Sequence, residues 1–119
     1  MKFIYNESMT KNLVEGYYKK YEDIDGSLEI QCGCRKLPPI GRSLVGEEHP
    51  YISFRLKGSM IVDEETQVVE IALSDTEVEN AFITAIEASG RKVKNVSIDF
   101  DDKSFKCITV EAVTKRKVK

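Results

Sequence analysis

The side chains with the clearest chemical potential are a basic and aromatic set: Arg35, Lys36, Arg42, Tyr51, Arg55 and Lys57, then Arg91, Lys92 and Lys94. An arginine presents a planar fork that matches phosphate oxygens two at a time and stacks on a ring. A tyrosine or phenylalanine ring supplies the other half of a nucleobase sandwich, worth roughly 1–3 kcal/mol per base. Together they suit an anionic, ring-bearing ligand. The same residues also suit the solvated outer face of a sheet, and spacing alone leaves both readings open. Phe82 carries the same ambiguity: it lies on an apolar helical stripe and packs in a core unless that stripe faces a cleft or a second protomer.

A second set is Cys32, Cys34, Cys107 and His49. On a strand, side chains at i and i+2 share a face, so Cys32 and Cys34 point the same way. With Cys107 and the single histidine they could form a Cys3His zinc site, but structural zinc pairs its cysteines at wider spacing. Buried thiols are the simpler reading, and no metal site is expected. No Ser-His-Asp set, HExxH, P-loop or GxGxxG appears. The acid pairs Glu47-Glu48, Glu64-Glu65 and Asp101-Asp102 fall in predicted loops or turns, where solvated carboxylates belong. No catalytic residue and no cofactor is expected, and the chain reads as a non-enzyme.

The elements that would position these residues are marked by period and punctuation. Met9, Leu13, Tyr17 and Tyr21 fall four apart, with Val14 and Tyr18 beside them, and predict a helix over Glu7 to Tyr21. Alternation predicts a strand over Leu28 to Arg35 and another from Tyr51 to Lys57. That second strand continues beyond a bend or bulge at Gly58 to Val62. Between them lies a loop of about fourteen residues, Leu37 to Pro50, long enough to suggest a functional clamp. After a turn at Asp63–Thr66, Gln67 to Leu73 returns as a hairpin strand. Ser74 and Glu77 form a capping box ahead of Val78, Ala81, Phe82, Ala85 and Ile86, and Gly90 suits a left-handed helix end. Two further strands alternate through Val96, Ile98 and Phe100 and through Ile108, Val110 and Ala112, and Lys2 to Tyr5 is a candidate short strand. The predicted class is α+β, a small antiparallel sheet with two helices in the order αβββαββ, in one domain over residues 1–119.

The net charge of −2 includes a tail, Lys115-Arg116-Lys117-Val118-Lys119, with four positive side chains, so the remainder carries −6. An acidic body argues against duplex nucleic acid as partner; residues 115–119 read as a solubilising basic tail. With 41% hydrophobic and 32% charged residues the composition is globular. Neither a membrane span nor a signal-peptide core is visible, and three cysteines suit a reducing compartment, so a cytoplasmic location is expected.

Three stretches resemble the phage-encoded Thoeris anti-defence proteins of the first type. They are Gly41-Arg42-Ser43-Leu44-Val45-Gly46, Tyr51-Ile52-Ser53-Phe54-Arg55-Leu56, and Ala81-Phe82-Ile83-Thr84-Ala85-Ile86 with Gly90-Arg91-Lys92. The resemblance implies a sponge that binds glycocyclic ADP-ribose immune signals without degrading them, in some members also cyclic oligonucleotides at a separate site. It also implies dimers assembling into a hexamer, with pockets at protomer boundaries. By residue type, Arg42, Arg55 and Arg91 would meet phosphate, Phe82 or Tyr51 would stack on adenine, and Asn95 would make a polar contact. The alternative is a small protein-interaction inhibitor or structural subunit with no small-molecule ligand.

Overall fold

The computed structural model describes residues 1–36 and 48–114. In chain order they form β1 (Lys2–Tyr5), α1 (Glu7–Tyr21), β2 (Asp25–Lys36), β3 (Glu48–Val62), β4 (Glu65–Leu73), α2 (Asp75–Glu87), β5 (Arg91–Phe100) and β6 (Phe105–Thr114). The class is α+β, and the order αβββαββ stands with β1 placed in front. The single small sheet expected is divided in two, ordered β2-β3-β4 and β1-β6-β5, with every pairing antiparallel.

Helix α1 starts where Asn6 Oδ1 accepts the backbone N–H of Met9 at 2.8 Å, and Lys19 and Lys20 oppose the dipole in its last turn. Its buried row is Thr10, Val14 and Tyr18, one position round from the expected Met9–Leu13–Tyr17–Tyr21 stripe. Leu13 and Tyr17 pack on the flank of the core, while Met9 and Tyr21 stay 46% and 48% exposed. Slim Thr10 and Val14 let the helix settle closely on its neighbours, and the bulkier side chains are left at the rim. Thr10 Oγ1 reaches the carbonyl of Tyr5 at 3.4 Å, which satisfies the hydroxyl. Glu15 Oε2 accepts the backbone N–H of Leu28 at 2.9 Å and ties α1 to β2.

Strand β3 is continuous through Gly58. The expected bulge is absent: register runs unbroken on both sides, and Gly58 lies directly opposite Gly26. A Cβ at Gly26 would lie 2.7 Å from the Lys57 carbonyl oxygen, and one at Gly58 would collide with the Asp25 carbonyl oxygen and Gly26 Cα. These glycines allow two backbones to approach; they do not mark a bend. Strand β4 begins at Glu65, earlier than predicted, because the turn is two residues long. Asp63 and Glu64 both have positive φ, 51° and 68°, the twist that suits a two-residue hairpin.

Helix α2 carries the expected capping box: Glu77 N donates to Ser74 Oγ and Ser74 N to Glu77 Oε1, each at 3.2 Å. Val78, Ala81, Phe82 and Ile86 are buried, while Ala85 faces outward. Gly90 has φ 91°, the left-handed conformation expected of it. One apolar cluster joins both helices and both sheets, with Val14, Leu56, Val78, Phe82, Ile108 and Val110 all 0% exposed. Each such side chain contributes roughly 1.5–3 kcal/mol by leaving water.

In the second sheet Lys94 is an extra residue between the pairs Val93–Ala112 and Asn95–Glu111. The β5–β6 turn is held by Asp101, whose Oδ1 accepts the N–H groups of Lys103 and Ser104, both at 2.8 Å. No helix among the described residues is long and apolar enough to cross a membrane.

Candidate functional site

Alternation along β3 sends Phe54 and Leu56 into the core and His49, Tyr51, Ser53, Arg55 and Lys57 to the outer face. On that outer face Gln31, His49, Tyr51, Ser53 and Arg55, with Pro50 and Ile52 at the strand, line an open groove of about 600 Å³. That volume falls within the roughly 300–1,000 Å³ of small-molecule sites. Tyr51 and Arg55 therefore share this face and groove, separated by four residues or roughly 13 Å of strand.

Gly33 lies beneath the Tyr51 ring beside this groove, and sequence reasoning missed it. It pairs directly with Tyr51, whose ring crosses it so closely that a Cβ would sit 2.7 Å from Cε1 and Oη. Filling the space over a strand glycine with a cross-strand ring is a known way of pinning register. Tyr51 is held by this contact yet remains 38% exposed.

Arg55 and Lys57 each lean diagonally onto an acid of a flanking strand. Arg55 Nη1 meets Glu70 Oε1 on β4 at 2.9 Å, and Lys57 Nζ meets Glu29 Oε2 on β2 at 3.4 Å. All four side chains are about half exposed, so each pair is worth only about 0–1 kcal/mol. A multiply charged anion can compete for the guanidinium at that cost.

The other expected ligand residues lie elsewhere. Arg42 falls outside the described residues. Phe82 is 0% exposed and packs edge-on to Tyr5, ring centroids 4.9 Å apart, so stacking on a ligand would require it to leave the core. Arg91 and Asn95 belong to β5, in the second sheet. Arg91 lies over the Phe3 ring at 5.3 Å and donates from Nη1 to Ser89 Oγ at 3.1 Å. Its Nε is buried without a partner. Asn95 is exposed and donates to Ser97 Oγ at 3.2 Å. The extra residue Lys94 breaks alternation between them, so Arg91 sits on the Phe3 side of the sheet while Asn95, opposite Glu111, is on the other.

Cys32 and Cys34 share one face of β2, opposite Ile52 and Pro50 of β3, but Cys34 is exposed and Cys32 and Cys107 are only half-buried, so the expected buried thiols are not found. Burial pushes the Cys32 thiol up, helped by the negative charges of Asp101 and Glu7, which disfavours a thiolate. Cys107 lies on β6, with its sulfur 3.9 Å from Thr109 Oγ1. No cluster of three or more His, Cys, Asp and Glu side chains among the described residues could hold a metal ion.

No protein-family model matches the chain, and neither curated proteins nor solved structures give a significant match.

Proposed function

We propose that this protein is a non-catalytic sponge for a nucleotide immune signal of the cyclic ADP-ribose type, sequestering it in phage anti-defence against Thoeris immunity. The observation that supports this reading is the pairing of Tyr51, steadied over Gly33, with the exposed Arg55 in one groove of about 600 Å³. The base stacks on Tyr51 and a phosphate displaces Glu70 from Arg55. The resemblance described above narrows the ligand from any nucleotide to glycocyclic ADP-ribose, with cyclic oligonucleotides as a second class. Phe82 keeps a core role, and Arg91 and Asn95 do not share the groove within one chain. Any part they play comes from a neighbouring protomer in a dimer or hexamer, in the host cytoplasm.

The test is retention and release. The protein is incubated with glycocyclic ADP-ribose, desalted and heat-denatured, and the supernatant is analysed by chromatography. Recovery of intact nucleotide in proportion to protein is the expected result. Absence of retained nucleotide, or its conversion to another species, overturns the reading.

A further inference from the structure

We propose that the outer edge of β4 pairs antiparallel with β4 of a second copy of this chain, joining two three-stranded sheets into one of six strands. Among the described residues the two sheets end in four edges, those of β1, β5, β2 and β4. Three carry the devices that usually blunt an edge. β1 is only four residues long. β5 has Lys92 and the bulged Lys94. β2 has its Leu28 N–H taken by Glu15 of α1, which covers that part of its edge.

β4 has none of these. It is nine residues long, without lysine, proline or glycine, and its register with β3 is unbroken. Val68 on it is 91% exposed, and Thr66, Glu70 and Ala72 are exposed too. An edge of this kind is a ready template for another strand.

The two-residue turn determines which backbone groups point outward. In such a turn the Glu65 N–H bonds back to the Val62 carbonyl, and pairing then alternates along the ladder. Glu65, Gln67, Val69, Ile71 and Leu73 thus direct N–H and C=O toward β3. Thr66, Val68, Glu70 and Ala72 direct theirs away. A twofold axis at Val69 matches Val68 with Glu70 and Thr66 with Ala72 of the second copy, and so engages all four outward residues. It covers Val69 and Ile71 on the inner face and keeps the two Glu70 carboxylates from lying directly opposite one another, a repulsive arrangement. A second copy therefore engages every outward group of β4 without setting like charges opposite one another.

The proposal does not rest on nucleotide binding. Its test is sedimentation velocity of the full chain over a micromolar dilution series, beside Val68→Pro and Val68→Lys. Proline removes only an outward N–H and is tolerated on an edge. The expected result is a wild-type dimer whose dissociation constant rises about tenfold or more in Val68→Pro, since two symmetry-related bonds are lost. Circular dichroism should remain that of the wild type. If Val68→Pro does not fold, Val68→Lys decides. In Val69→Cys, mild oxidation should link the two new cysteines, whose Cα atoms would be about 4.5 Å apart in this register. A monomeric wild type, a dimer indifferent to the folded Val68 variants, or a β4 edge that captures only a foreign strand overturns the proposal.

Discussion

The Tyr51 ring occupies the space where a Cβ of Gly33 would be, so the two residues form one unit across the β2–β3 ladder. A methyl group at position 33 must push the ring aside. Gly33→Ala should therefore weaken nucleotide retention by about 5- to 150-fold, the range corresponding to one lost stacking contact. It should move the melting temperature little, because this stretch of the ladder lies outside the main core. Calorimetric titration beside a thermal melt separates the two effects.

Tyr51 and Phe82 should separate in the same way. Tyr51→Ala removes the exposed ring and is expected to weaken retention at least as much as Gly33→Ala while leaving stability nearly unchanged. Phe82→Ala empties a site that is 0% exposed and should cost about 3–5 kcal/mol in urea unfolding. If Phe82→Ala stayed stable and lost binding alone, the division of roles drawn here would be wrong.

Glu70 holds the Arg55 guanidinium at 2.9 Å in an exposed pair. Neutralising it by Glu70→Gln should release Arg55 for phosphate at a stability cost of about 0–1 kcal/mol. Affinity for a phosphate-bearing ligand should rise, and its salt dependence should steepen. Unchanged affinity with intact folding would remove Arg55 from the site.

The helices were legible because their end signals are local. Ser74 with Glu77 and Gly90 describe α2 within one stretch of sequence. The buried row of α1 was not, since choosing Thr10–Val14–Tyr18 over its neighbour depends on what packs against the helix. Alternation did place Tyr51 and Arg55 on the outer face of β3. Gly33 beneath the Tyr51 ring and Gly26 facing Gly58 are properties of cross-strand register, which neither strand's sequence states alone. The separation of Arg91 from Asn95 arises from one extra residue, Lys94, which alternation could not anticipate.

Asp101 gives the protein an acid-sensitive turn. The N–H groups of Lys103 and Ser104, then Lys106, lower its carboxyl from 3.8 to about 2. The folded value lies below the unfolded one, so this stabilisation is complete at neutral pH and is lost as pH falls from about 3.8 toward 2. Asp101→Asn keeps an acceptor oxygen but does not titrate. Urea midpoints of wild type and variant should differ most at neutral pH and converge on acidification through that window.

The central strand β3 has neighbours on both sides only from Phe54 to Ser59; toward Glu48 it pairs with β2 alone, and toward Val62 with β4 alone. The amide groups of that middle segment alternate between two ladders, so exposing all of them to solvent deuterium requires both neighbouring strands to leave. Those at either extremity need break just one ladder. The arm that carries Tyr51 and the hairpin that carries Val68 can thus each open locally about a shared centre that stays closed.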